Sequence, residues 1–375
     1  MKICIDGLGL THLKKTGIGV YTYELLKGLF SMYPQPSYEL LWDNSKEKVK
    51  IGKNISVSYV DLKINRKEND LQNIESYILS NKVNIYHSPN NGFSIPQNKV
   101  CNYITTVHDV LPLINSSYVD DKYLKKFYDV FPNAVEKSDK IIVVSEYIKE
   151  IIQNNFDIPE KRIDVIYPGC SDIFKHKNEE SCENILKSKY KIEGDYILYA
   201  GSIHIRKNLE KLIKVFKDIN RYSNNNLKLV LVGNCNNKRR QYYLKLKELV
   251  ETLKLEEFVI FVGSVEYDDM PYFYSKAKCV VNLSKYEGFP LSTIEAMACE
   301  TPVVCNKQTL FRKVLDEAGI LVDANDKEDI FEGVVEVIYN DSYREKVLSK
   351  QREQVKKYRW DKNILKTIQA YEGFY

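Results

Sequence analysis

Short apolar runs of strand length recur along the chain, and most are followed by a stretch whose apolar residues fall at helical spacing. A first series of strands is expected at Lys2–Asp6, Tyr38–Leu41, Ser56–Val60, Val83–His87, Val100–Val107, Ile141–Val144 and Ile163–Ile166. A second is expected at Tyr196–Ala200, Leu227–Val232, Val259–Val262, Cys279–Leu283 and Val303–Val304. Helices are expected from about Gly19 to Phe30, Asp70 to Leu79, Ser145 to Phe156 and Asn208 to Ile219, the last with Leu209, Leu212, Ile213 and Phe216 on one face. Three more are expected near the end, at roughly Asp326–Tyr339, Ser342–Tyr358 and Asp361–Tyr371. The mixture of Lys, Asp and aromatics from Tyr118 to Lys137 reads as a solvated amphipathic helix, with a membrane-surface or acceptor-facing helix as the alternative. Strands alternating with helices mean a parallel sheet, and two such series mean two doubly wound α/β domains. The polar stretch 175–194 lacks a strand pattern and is taken as the linker, which puts one domain at 1–174, a second at 195–358 and a terminal helix at 359–375.

Composition supports two domains, since 375 residues of which 44% are hydrophobic can fill two cores. With 55 basic and 51 acidic residues the formal charge is only +4, too weak to argue for a nucleic-acid partner. No stretch approaches the roughly eighteen uninterrupted apolar residues of a membrane span, and the chain starts directly as a strand rather than as a signal peptide. A cytoplasmic protein is expected, with peripheral association at the inner face of the membrane left open. Eight cysteines occur without a CxxC pair or a Cys/His cluster, so they are expected as reduced core thiols.

Candidate chemistry concentrates between Lys278 and Asn306. An apolar strand there is followed by a loop, Ser284–Pro290, and a helix from about Leu291, with Ser292 or Thr293 expected to cap its first turn. The helix ends at Glu300-Thr301-Pro302. Two carboxylates are placed by this arrangement, Glu287 in the loop and Glu295 one turn into the helix, with seven residues between them. Open parallel sheets bind ligands beyond the C-terminal ends of their strands, and a helix N-terminus suits a phosphate. Earlier in the chain, Gly7-Leu8-Gly9 fails as a dinucleotide fingerprint, because His12 occupies the third glycine position and no acidic residue is expected at the end of a second strand. Gly17 and Gly19, read as standing just before a helix, would let a backbone approach a diphosphate, although a merely structural turn explains them as well. His108 and Asp109 follow a strand, and Arg206-Lys207 stand at a helix N-terminus, where a cationic pair suits a diphosphate leaving group.

The run EGFPLSTIEAMACETPVV, from Glu287, resembles the signature of retaining nucleotide-sugar glycosyltransferases of the GT-B fold, sequence family 4. The GIG-x-Y element at Gly17, HD-x-x-P at His108, VSE with VIYPG up to Gly169, and RKN at Arg206 resemble further parts of that family. The resemblance implies two Rossmann-like domains facing a central cleft, with the terminal helix returning to the N-terminal domain. It implies that Glu295 holds ribose hydroxyls, Glu287 the donor sugar and His108 the sugar from the other domain. Arg206, Lys207, Gly17 and Gly19 would serve the diphosphate, Val262, Gly263 and Val265 the nucleobase, and Gly288, Phe289 and Leu291 would offer mainly backbone N–H groups. Bacterial polysaccharide mannosyltransferases are the nearest general likeness, so GDP-mannose is the first donor expected and a UDP-hexose the second, with a glycan or lipid-linked acceptor. No Asp-x-Asp occurs in the sequence, and neither a metal nor a cofactor beyond the nucleotide sugar is expected. The chain departs from the family at Ser202, where relatives carry Arg, at Pro290 and Ser292, at Phe311-Arg312-Lys313, and at Glu300, which replaces a glycine and is expected in a left-handed cap. A sugar-nucleotide epimerase of the same fold and a non-catalytic sugar-nucleotide-binding protein are the competing readings.

Overall fold

The computed structural model describes residues 1–12, 16–43, 51, 58–62, 69–235 and 239–374. It divides into two compact units, Met1–Gly169 with Arg359–Tyr375, and Cys170–Tyr358. The stretch expected as a linker is therefore part of the second unit. Its residues Glu179–Tyr190 form a helix, capped by Asn178 and burying Cys182 and Leu186. Few apolar positions mark that helix, because most of it faces water; Lys276 holds it through Glu179 (2.6 Å) and Glu183 (2.9 Å).

In the first unit, strands β1 (Lys2–Asp6), β2 (Ser37–Asp43), β3 (Ser58–Leu62), β4 (Ile85–Ser88), β5 (Asn102–Val107), β6 (Lys140–Val143) and β7 (Ile163–Val165) form one parallel sheet. Their order is β3-β2-β1-β4-β5-β6-β7, which reverses direction between β1 and β4. Ser56 and Val57 of the expected third strand lie outside the described residues. Strand β2 runs two residues past its expected end, so Asp43 does close it, contrary to the sequence reading; the missing third glycine still sets the loop after β1 apart from a dinucleotide fingerprint.

The helix after β1 begins at Gly17 rather than Gly19 and runs to Met32. Thr16 moves its start, accepting the Gly19 N–H on its side chain (3.4 Å), so both glycines lie in the first turn instead of a preceding loop. The helix packs Leu25, Leu26 and Leu29 against Ile3 and Ile5, and Ile364, Ile368 and Tyr371 of the terminal helix Trp360–Glu372 complete this core. Gly28 permits that approach: a Cβ there would lie 2.3 Å from Ile364 Cγ1. The Asp121–Lys137 helix is amphipathic as expected, burying Phe127, Phe131, Ala134 and Val135.

In the second unit, β8 (Asp195–Ala200), β9 (Leu227–Val232), β10 (Val259–Gly263), β11 (Cys279–Asn282), β12 (Val303–Asn306) and β13 (Ile320–Val322) form a second parallel sheet. Strand β13 was not expected, because its three apolar residues lie among loop residues. The order is β10-β9-β8-β11-β12-β13, so the reversal falls between β8 and β11. At such a point the two flanking connections leave on opposite faces, and a crevice opens beyond the strand ends. The helix Leu209–Tyr222 covers this sheet with Leu209, Leu212, Ile213 and Phe216, the face expected from the sequence.

All eight cysteines are free thiols; Cys4, Cys182, Cys279, Cys299 and Cys305 are buried, and Cys101, Cys170 and Cys235 are partly so. No helix among the described residues is long and apolar enough to cross a membrane.

Candidate active site

The loops leaving β8 and β11 meet at the reversal of the second sheet. Lys285 N donates to Arg206 O (2.8 Å), which ties the two loops together. Across that tie the Arg206 guanidinium donates to Glu287 Oε2 (2.9 Å) and to the Tyr286 carbonyl (2.6 Å). Lys207 Nζ binds Glu287 Oε1. Ser284 Oγ lies 2.8 Å from the same oxygen and 2.5 Å from Asn282 Oδ1, its single proton shared between them. Asn306 Nδ2 in turn donates to Ser284 O (3.0 Å). Glu287 and Lys207 are only 7% and 6% exposed, so a solvated loop charge no longer describes Glu287. Burial alone would push the Glu287 carboxyl up; the Lys207 and Arg206 charges overcome it and hold the group well below the usual carboxylate range. Burial, followed by the Arg206 charge, draws Lys207 down against the pull of Glu287. Oε1 is engaged twice and Oε2 once by these neighbours, which leaves Oε2 a lone pair for a ligand hydroxyl.

Glu295 lies on the helix Leu291–Ala298 and is 9% exposed. Burial raises its carboxyl to about 7, with the Tyr274 and Tyr267 hydroxyls opposing; Tyr274 donates to Oε2 at 2.9 Å. The expected capping by Ser292 or Thr293 is not present. Pro290 occupies the cap position, its carbonyl takes the Thr293 N–H (2.9 Å), and Thr293 Oγ1 accepts from Asn282 Nδ2 (3.3 Å). The Leu291 N–H, expected for a ligand, points back to Phe289 O at 3.0 Å. The Phe289 ring lies 5.5 Å from that of Tyr358. Gly288 is buried beside Glu287. At the end of β10, Val262, Gly263 and Val265 are all partly exposed, with Gly263 at φ +80° and its carbonyl taken by Gly233 N (2.8 Å). Glu300 adopts φ 58°, the left-handed cap expected of it, and pairs with Arg352 at 2.9 Å.

His108 belongs to the first unit, where it follows β5. Its Nε2 lies 2.8 Å from the Pro89 carbonyl, so Nε2 carries the proton and Nδ1 is left as an acceptor. Asn91 Oδ1 takes its backbone N–H (2.7 Å), and the Tyr21 ring stands edge-on at 4.6 Å. Burial lowers its imidazole to about 4 against the Pro89 bond, which keeps the ring neutral. Asp109 accepts the Leu111 N–H (3.0 Å) in the turn that follows His108. Gly17 and Gly19 are also in this unit, at the start of the helix already described. Ser284, Asn282, Tyr274 and Tyr267 were not singled out from the sequence: Ser284 and Asn282 lie close to Glu287 in the chain but read as ordinary loop and strand-end polars, and tyrosine is abundant while Tyr274 lies 21 residues from Glu295.

Two families match side by side: Glycosyltransferase Family 4 over residues 16–172, and Glycosyl transferases group 1 over residues 183–358. The chain is 29% identical to O-antigen chain mannosyltransferase B of Escherichia coli over 289 residues, 77% of this chain and 74% of that one. Its fold is similar to that of sucrose-phosphate synthase from Thermosynechococcus elongatus (TM-score 0.79, 18% identity, 100% and 98% of the two chains). It is likewise similar to Anabaena Alr3699/HepE in complex with UDP and glucose (TM-score 0.78, 14% identity, 99% of each chain). Both halves of the chain thus find their place in the same group, and the chain is a glycosyltransferase of the GT-B type, a hexosyltransferase by family.

Proposed function

We propose that this glycosyltransferase moves a hexose from a nucleotide sugar to a glycan or lipid-linked acceptor with retention of anomeric configuration, and that its donor is GDP-mannose, with a UDP-hexose as the alternative. The observation that carries the reading is the buried Glu287 carboxylate fixed between Arg206 and Lys207 at the switch point of a parallel sheet. Transfer breaks the bond between the sugar C1 and the diphosphate oxygen, leaving the electron pair on the diphosphate, and the acceptor oxygen bonds to C1 as its proton passes to the departing diphosphate oxygen. Charge develops on the diphosphate, and preformed cations in a site sheltered from water stabilise it without reorganising. Arg206 and Lys207 supply that charge in our reading, so the reaction runs without a metal. Glu287 holds the two cations in place and keeps one lone pair for a sugar hydroxyl. Glu295 accepts the ribose hydroxyls, Val262, Gly263 and Val265 line the base, and the backbone around Gly288 and Phe289 serves the phosphates. In the first unit, the Nδ1 of His108 is an acceptor suited to a sugar hydroxyl, and Gly17 and Gly19 open a helix start suited to a phosphate.

The mannose preference is supported by relatives named as O-antigen chain mannosyltransferases, and the nucleotide donor by UDP and UDP-glucose named in the structures of a fold neighbour. We place the enzyme in the cytoplasm, at the inner face of the membrane where lipid-linked acceptors are met. The test is incubation with GDP-mannose, UDP-glucose and related donors, followed by release of nucleoside diphosphate and by NMR of the anomeric proton of the product. Release with an α product from an α donor is expected. An isomerised sugar nucleotide would make the protein an epimerase, and binding without turnover a non-catalytic module.

A further inference from the structure

The cations around Glu287 are not confined to the Arg206-Lys207 pair. The loop after β9 packs directly on the loop after β8: a Cβ at Gly233 would lie 1.7 Å from Gly201 O, and Ile203 N donates to Asn234 O at 3.4 Å. The helix Arg240–Thr252, which this second loop feeds, is fastened beside the helix after Lys207 through Lys245 and Glu210 (3.1 Å). Arg239 immediately precedes that helix and is half-buried. Burial and the Arg206 charge lower it, and Lys207 in turn feels the Arg239 charge. Tyr199 lies in the fields of Arg206 and Arg239, and its hydroxyl bonds the carbonyl of Ser202 (2.8 Å), the position that carries no cation of its own. Among the described residues no carboxylate pairs with Arg239. Arg206, Lys207 and Arg239 thus stand at the starts of two helices whose preceding loops pack on each other, and Glu287 is the carboxylate that pairs with the first two. Like charges are brought together at such a place at a cost, and a polyanion relieves it.

We propose that Arg239, delivered by the loop after β9, binds the diphosphate of the donor as a third cation beside Arg206 and Lys207. The inference rests on the donor reading given above and names a residue for it that lies outside the signature motifs. A guanidinium can grip two phosphate oxygens at once, whereas Lys207 acts as a point charge. It touches the leaving group rather than the sugar or the base, so its effect should follow the phosphates alone.

The experiment is calorimetric titration of the full chain, parent and Arg239→Ala, with GDP and UDP and, by competition, with guanosine and uridine. The parent should bind one diphosphate far more tightly than its nucleoside. Arg239→Ala should lose about ten- to hundred-fold in affinity for that diphosphate, the range of one charged hydrogen bond, with nucleoside affinity unchanged. Arg239→Lys should recover part of the loss, and Arg239→Gln stands in should the Ala variant not fold. Diphosphate and nucleoside affinities that fall in the same proportion would show that Arg239 only shapes the loop, and an unchanged diphosphate affinity would remove it from the site; either result overturns the inference while leaving the donor reading intact. A parent that binds neither diphosphate would instead overturn the donor reading itself.

Discussion

Replacing Glu295 with glutamine should make the unliganded protein more stable at pH 8 and weaken it as an enzyme. The carboxyl is almost wholly buried and its pKa is raised from 4.5 to about 7 by that burial, against the Tyr274 and Tyr267 hydroxyls. The other titratable neighbours, the Cys170 and Cys299 thiols, are themselves pushed up by burial and stay neutral in this range. Below pH 4.5 the acid is protonated in folded and unfolded chains alike. Between 4.5 and about 7 the folded chain holds a proton that the unfolded chain has lost, so stability falls as pH rises. Above 7 the deficit is constant. A difference of about 2.5 pH units at ~1.36 kcal/mol each amounts to ~3.4 kcal/mol. Glutamine is neutral throughout and nearly the same shape. Urea unfolding of parent and Glu295→Gln should therefore give similar free energies near pH 4.5 and a variant more stable by ~3 kcal/mol at pH 8. A difference that does not change between the two pH values would refute the argument, since a packing effect has no such slope. If the ionised form receives the ribose hydroxyls, the parent should also bind nucleoside diphosphate more tightly at pH 8 than at pH 6, releasing a proton as it does so.

Glu287→Ala strands the buried Lys207, so it should destabilise by about 3–5 kcal/mol and lower kcat about ten- to hundred-fold, while nucleoside diphosphate affinity stays at or above that of the parent; an affinity loss like that of Glu295→Ala would reverse the two roles. Excess EDTA should leave the transferase rate unchanged, and activity lost to chelation and restored by Mg or Mn would contradict leaving-group stabilisation by the cations alone. Tyr371→Phe removes the hydroxyl 2.7 Å from His87 Nδ1 in the core of the first unit, at an expected ~1–3 kcal/mol, and removal of residues 361–375 should unfold that unit by exposing the positions of Ile364, Ile368 and Tyr371; equal unfolding midpoints would mean the helix is an ornament on the core.

Both doubly wound sheets were legible because their central strands are buried on both faces and show as continuous apolar runs. Context rather than length set the limit: Val303–Val304 was marked because a helix and Pro302 precede it, whereas the longer run Ile320–Val322 lies among loop residues and passed unseen. The helix Glu179–Tyr190 escaped for a different reason, since only Cys182 and Leu186 turn inward and charged residues dominate the rest. The positions of Glu287 and Glu295 could be read from the strand, loop and helix around them. Their states could not. Lys207 reaches Glu287 across 80 residues and Tyr274 reaches Glu295 across 21, and nothing local in the sequence distinguishes a carboxylate held ionised by two cations from one whose ionisation burial opposes. Gly17 and Gly19 show the same limit at short range, where one threonine cap moved a helix start by two residues.

Parts of the site are built against the stability of the fold, and the sense of each conflict identifies the groups a ligand relieves. Glu287 is satisfied by Lys207, Arg206 and Ser284, so it belongs to the scaffold as much as to the site, and its loss should lower stability and turnover together. Glu295 is a carboxyl whose ionisation the fold opposes, and Arg239 is a cation near two others that has no carboxylate partner among the described residues. Neutralising either should leave the unliganded protein as stable as the parent or more so while weakening its grip on a nucleoside diphosphate. Thermal unfolding of Glu287→Ala, Glu295→Gln and Arg239→Gln, each with and without GDP and UDP, separates the classes directly. For the last two variants the midpoint without ligand should not fall, and the shift on adding the preferred diphosphate should shrink. The size of that shift reports affinity through RT ln(1 + [L]/Kd), so a hundred-fold weaker Kd at saturating ligand removes ~2.7 kcal/mol of stabilisation. If all three variants lost unliganded stability alike, the charges would be serving the fold, and the assignment of Glu295 and Arg239 to ribose and diphosphate would have to be withdrawn.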